Sequence, residues 1–257
     1  MATVSALARS PGSLTVAARM NQSVAVLTVD GVLDTANSAA LRDAIVATTL
    51  DQPSAVVVDV STLRVRAESA WTAFIGARWQ LPPGADVPLV VVCAQRANRD
   101  ALARSGVARL MPVYSSEKGA IRALGRRTRR SVRRADAQLP ADLTSLRESR
   151  RLVREWLTEW SQTTLIPVAL VVVNVFVENV LEHTGNVPAM RVESDGATAT
   201  IAVSDGSNTP AVRLPPPEEG IDVSGLAIVE ALSRAWGSAA TASGKTVWAV
   251  IGPENQL

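Results

Sequence analysis

The chain has 257 residues, of which 47% are hydrophobic, enough to bury a core and too apolar for a disordered protein. Its single cysteine, Cys93, excludes an internal disulfide and a cysteine-built zinc site. The net charge of +2 conceals an asymmetry: six arginines (126, 127, 129, 130, 133 and 134) carry it, and without them 20 basic residues face 24 acidic ones. Residues 1–13 lack the basic start and long apolar run of a secretory signal and read as a loose tail. The longest apolar run, Ile166 to Val177, falls short of the ~20 residues that span a bilayer. The expectation is a soluble cytoplasmic protein with no membrane segment.

Residues 14–124 alternate between strand and helix patterns. Two strands, 14–19 and 24–30, close on Gly31, and Thr35 has the character of an N-cap for a helix over 36–48. The continuous apolar runs 54–60 and 89–94 have the length of strands buried on both faces. Helices are expected over 68–80, 96–104 and 117–124, with a short strand near 111–114 between the last two. This alternation predicts an α/β domain with helices against a mixed sheet.

From 125 to 140 the composition shifts to the arginine run, which reads as an extended, self-repelling linker and domain boundary. Its alternative use is contact with an acidic partner. No aromatic residue interleaves with these arginines, so direct nucleic-acid binding by base stacking is not supported. Residues 141–257 then read as α+β. Helices are expected over 142–160, 166–183 and 224–236, with strands over 189–193, 197–204 and 246–251.

Three short pieces of this second half concentrate the polar chemistry. On the helix 166–183, Asn179 and His183 share a face with Val175. The strand 197–204 ends in the sharp turn Asp205-Gly206. Gly225 precedes the helical run Leu226-Ala-Ile-Val, so backbone N–H groups at a helix start can meet an anion. A lone histidine near a helix C-terminus is explained by the dipole alone, and His183 is given no catalytic role.

With these pieces in order, about 139–252 resembles the histidine-kinase-type (GHKL) ATPase superfamily, and within it the bacterial anti-sigma-factor serine kinases. The carrying residues are Leu139-Pro-Ala-Asp, Asn179 with His183, Val203-Ser-Asp205-Gly206, Gly225-Leu226-Ala-Ile-Val, Ala235-Trp-Gly and Gly244-Lys-Thr246-Val-Trp. The resemblance implies a Bergerat-type ATP-binding sandwich with ATP and Mg as cofactors. Asn179 would hold the Mg ion, Asp205 would accept from the adenine amino group, and Gly206 would let the base approach the backbone. The loop 207–224 would be a lid, Gly225 and Leu226 would line the phosphates, and Thr246 would assist Asp205. The kinases carry a glutamate base four residues before the metal-binding asparagine; here that position is Val175, which accepts no proton. Glu178 lies about 100° round the helix from Asn179, leaving Glu182 as the local catalytic candidate.

The stretch 14–124 resembles a STAS domain, the fold of anti-sigma-factor antagonists, on the residues Val58-Asp59-Val-Ser61-Thr-Leu63. In the family's phosphorylation-site columns stand Ala67, Glu68, Ser69 and Ala70, so a fixed carboxylate replaces the serine that a partner kinase would modify. Glu68 is either a permanent stand-in for phosphoserine or a helix-capping residue, with Ser69 and Ser61 as remaining acceptors. Together the two resemblances imply a partner-switching regulator that binds ATP and acts by protein–protein contact on sigma-factor control. The expected partners are a sigma factor or anti-sigma and antagonist proteins, with docking between the two domains of one chain or in a homodimer. The alternatives are an active serine/threonine kinase, or a nucleotide-free scaffold with both sites degenerate.

Overall fold

The computed structural model describes residues 14–81, 87–126, 132–209, 211 and 224–255. The chain divides into two compact units, Met1–Arg129 and Arg130–Leu257.

The first unit is built on a five-stranded sheet in the order β1-β2-β4-β6-β7. The hairpin β1 (Thr15–Asn21) and β2 (Val24–Asp30) is antiparallel; β4 (Ala55–Asp59), β6 (Leu89–Val92) and β7 (Val113–Tyr114) continue in parallel. Strands β3 (Val32–Leu33) and β5 (Arg64–Val65) form a separate short parallel pair. The helices are α1 (Ser38–Leu50), α2 (Thr72–Gln80), α3 (Arg96–Arg104), α4 (Val107–Leu110) and α5 (Glu117–Arg126). All four residues of β6 are buried, as a strand covered on both faces requires. Helix α1 starts later than Thr35 suggests, because the Asp34 carboxylate takes the backbone N–H groups of Ala36 and Asn37 and holds them in a turn.

The second unit carries an antiparallel five-stranded sheet in the order β11-β12-β10-β9-β8. Its elements are β8 (Arg133–Gln138), α6 (Thr144–Glu159), α7 (Ile166–His183), β9 (Ala189–Ser194), β10 (Ala199–Asp205), α8 (Gly225–Leu232), β11 (Ala235–Thr241) and β12 (Gly244–Ile251). Helix α7 packs on α6 and lies across β10 and β12. Its Val168, Val172, Val173, Phe176 and Val180 bury against Ile201, Val203, Val247 and Ala249 in one core. That burial explains why a β-branched sequence is helical here: tertiary packing outweighs the small intrinsic penalty. By length and composition, 163–183 is also long and apolar enough to cross a membrane, with half of its window buried inside the protein.

In the second unit two elements differ from the sequence expectation. Part of the expected linker 125–140 is the edge strand β8, in which Arg134 bonds Asp136 and Arg133 donates to the Glu159 carbonyl. Charge density drew the linker reading, yet an edge strand tolerates charged side chains. The remaining run, 127–131, lies outside the described residues, as do the tail 1–13 and the lid segment 212–223. The helix expected to reach Trp236 stops at Leu232, and Ala235–Thr241 pairs instead with β12. Its Gly-Ser-Ala-Ala composition hides a strand, and the fully buried neighbour β12 supplies the pairing.

Candidate functional site

The polar pieces of the second unit are assembled by α7, the end of β10 and the start of α8. Val175 is buried, and its Cγ1 would lie 2.8 Å from a Cβ placed on Gly225. Glycine at 225 therefore lets the start of α8 seat directly on the Val175 face of α7. Ser224 caps α8, its hydroxyl accepting from the Ala227 N–H. Leu226 packs at the edge of the core. One turn beyond Val175, Asn179 is half-buried, and among the described residues its amide makes no hydrogen bond. Thus the α7 face expected to hold a metal–phosphate group does meet the helix start expected to hold phosphate.

The Asp-Gly turn closes against the loop that follows α7. A Cβ on Gly206 would lie 3.2 Å from Asn186 Oδ1, so a larger residue would press on that amide. Asn186 is fixed by its N–H, which donates to the Thr184 hydroxyl. On the other side, Gly244 has φ +152°, and a Cβ there would overlap the Asp205 carbonyl oxygen. Only glycine permits this crossing of β10 and β12.

Asp205 itself is engaged. The antiparallel register sets it opposite Lys245, whose ammonium lies 2.9 Å from Oδ2 and 3.1 Å from Oδ1. The side chains are 2% and 10% exposed respectively, and the Ser207 N–H adds a third contact, at 2.7 Å to Oδ1. The expected adenine acceptor is thus already a charge-assisted carboxylate with three contacts from two donor groups.

Thr246 is not part of this group. Alternation along β12 puts Lys245 on the side of Val247 and Ala249, which face α7, and Thr246 on the opposite side with Trp248. Its hydroxyl shares a 2.6 Å hydrogen bond with Ser204, its cross-strand neighbour. Because a strand's side-chain period is two, Thr246 and Asp205 point away from each other. Glu182 and His183 are both exposed. Glu178 is held elsewhere: Arg150 of α6 donates to Asn174, whose amide donates to Glu178 at 2.9 Å. Lys245, Asn186 and the Arg150–Asn174 link were given no role by the sequence. A lysine in an otherwise apolar strand was the available signal for the first.

In the first unit, the loop after β4 is pinned to the loop after β6. Asp59 accepts from the Ser61 N–H, the Ser61 hydroxyl accepts from the Ala94 N–H, and Gln95 donates to the Ser61 carbonyl. The Ser61 hydroxyl is therefore engaged. A short 3₁₀ turn, Glu68–Trp71, precedes α2, with Trp71 fully buried as its anchor. Glu68 and Ser69 sit on its exposed side, and the Glu68 carboxylate pairs with Arg104 from α3. The hydrogen bond from Arg104 holds the Glu68 carboxyl below the usual range, so it stays ionised through mildly acidic pH. Among the described residues no cluster of three or more His, Cys, Asp or Glu side chains could hold a metal ion.

The STAS domain family profile matches residues 15–120. The first unit therefore contains a STAS domain. An anti-sigma factor antagonist from Mycobacterium paratuberculosis is similar at 25% identity, over 45% of this chain and 97% of that one, with a TM-score of 0.40. The RsbU and RsbW domains of a Mycobacterium tuberculosis protein align at 21% identity, over 47% of this chain and 32% of that one, with a TM-score of 0.36. The Bacillus cell fate determinant SpoIIAA, in its phosphorylated form, aligns at 16% identity over 42% of this chain and 98% of that one, with a TM-score of 0.33. No curated protein sequence matches the chain.

Proposed function

We propose that this chain is a partner-switching regulator of the anti-sigma and antagonist type, whose second unit is a GHKL-type module that holds Mg-ATP without transferring its phosphate. The STAS domain at 15–120 supports the partner-switching class. The observation that carries the non-catalytic reading is the packing of Val175 against Gly225. The helix position that resembles the kinases' base carries an aliphatic side chain, and that side chain is spent on seating α8. Phosphoryl transfer depends on positioning and charge stabilisation of the attacking hydroxyl. Exposed Glu182 has no partner among the described residues that would aim it at such a hydroxyl.

Asn179 is the residue that would hold Mg, through its unpaired amide oxygen, a hard ligand suited to that ion. The metal would supply charge neutralisation between phosphate oxygens. Gly206 and Gly225 let their backbones pack closely against Asn186 and Val175. Asp205 would read the adenine amino group. In the first unit, Glu68 presents a constant negative charge where the resembling antagonists carry a switchable serine, so partner binding would be insensitive to a kinase at that position. The relevant partners are anti-sigma, antagonist or sigma-factor proteins.

A calorimetric titration of Mg-ATP into the full chain tests this reading. Wild type is expected to bind, Asn179→Ala to bind at least about tenfold more weakly, and neither to transfer labelled phosphate to a STAS-domain substrate. Equal binding by Asn179→Ala would overturn the site, and phosphate transfer would establish the kinase instead. The buried Lys245 contact on Asp205 favours one further reading, a scaffold that binds no nucleotide, and the same titration detects it as no heat in any variant.

A further inference from the structure

The Asp205–Lys245 pair is unexplained by packing alone. Lysine is scarce in this chain: Lys118 and Lys245 are its only two, and the remaining basic residues are arginines. One of the two is spent in a nearly closed position on the helix-facing side of the sheet, bonded to both oxygens of a single carboxylate. A carboxylate offers about four lone-pair positions, and Lys245 and the Ser207 N–H together occupy three of them. A neutral amino donor arriving at Asp205 would compete with an ammonium, which is the stronger donor because it carries charge. Lysine also suits a displaceable contact, being a compact charge on a flexible four-carbon stem rather than a rigid planar fork.

We propose that Lys245 is a specificity-determining residue that occupies Asp205 from within the chain, so that a ligand carrying an exocyclic amino group binds only by driving the lysine ammonium off the carboxylate. This rests on the reading of Asp205 as the base-recognising group and adds a regulation to it. The site is self-closed, and its apparent affinity is reduced by the fraction of molecules in which Lys245 is engaged. Anything that draws the ammonium away opens the site, including an anionic group brought near the start of β12.

Two measurements test the gate. In amine labelling of the wild-type chain followed by mass spectrometry, exposed Lys118 serves as the internal standard. Lys245 is expected to be protected without ligand and to become reactive under saturating Mg-ATP. Continued protection at saturation overturns the proposal. In calorimetry, Lys245→Met is expected to bind Mg-ATP at least about tenfold more tightly than wild type. Lys245→Gln, which keeps a neutral donor for Asp205 if the methionine variant fails to fold, is expected to fall between them. Affinities within about twofold across the folded variants overturn the gate while leaving the nucleotide reading intact. No binding by wild type or by a folded variant overturns both.

Discussion

Each half of the molecule places a carboxylate against a cation at its candidate site, and the two pairs differ in burial. Glu68 and Arg104 are 59% and 60% exposed; Asp205 and Lys245 are 2% and 10% exposed. Water screens the first pair, which contributes little to stability but keeps a charge fixed on the surface of the STAS domain. The second pair is desolvated, so each partner depends on the other. On the proposed reading, the first geometry would serve recognition by a protein surface. The second would govern access by a small ligand.

The largest expected effect breaks the buried pair from one side. Asp205→Ala leaves the Lys245 ammonium buried and uncompensated, which should cost about 3–5 kcal/mol in urea denaturation followed by circular dichroism. A small effect would mean that the pair is far more hydrated than its burial implies. Next, Gly244→Ala should cost about 2–3 kcal/mol by the same measurement. Its Cβ would overlap the Asp205 carbonyl oxygen at a φ of +152° that alanine disfavours, and the register delivering Lys245 to Asp205 would loosen with it.

An intermediate case sharpens the contrast. Asp136 on β8 is 27% exposed and bridges Arg134 and Arg191. Burial raises its pKa, but the hydrogen bonds from the two arginines outweigh this and hold its carboxyl below the usual aspartate value. Because the folded value is the lower one, the stabilisation is fully present above pH ~4, near the unfolded aspartate pKa, and is lost as pH falls through the folded value. Asp136→Asn should therefore cost about 1–2 kcal/mol at neutral pH and flatten the acid limb of a stability–pH profile. An unchanged acid limb would assign that limb to other carboxylates.

The smallest effect belongs to the exposed pair. Glu68→Gln should leave the denaturation midpoint unchanged within error. If its charge is a permanent substitute for phosphoserine, mass spectrometry of protein from cells will find no phosphate on Ser69 or Ser61. A modified Ser69 would sink the locked-state reading of Glu68.

Much of the fold was legible because its signals are local. The all-buried β6 shows as an unbroken apolar run, and α6 shows as a stripe at helical spacing. The Val175–Asn179–His183 face follows from helix geometry alone. Strands β8 and β11 were not legible, since neither carries the β-branched alternation that marks a strand and each is specified by the neighbour it pairs with.

The sequence by itself determined the two-part architecture, the STAS resemblance of the first part, the valine at 175 and the carboxylate at 68. Only the tertiary structure decided what meets what. It set Val175 on Gly225, turned Thr246 away from Asp205, and brought Lys245 onto a carboxylate forty residues upstream. The reason is register: alternation says which residues share a face of one strand, but which residue stands opposite is fixed only when the sheet closes over its core.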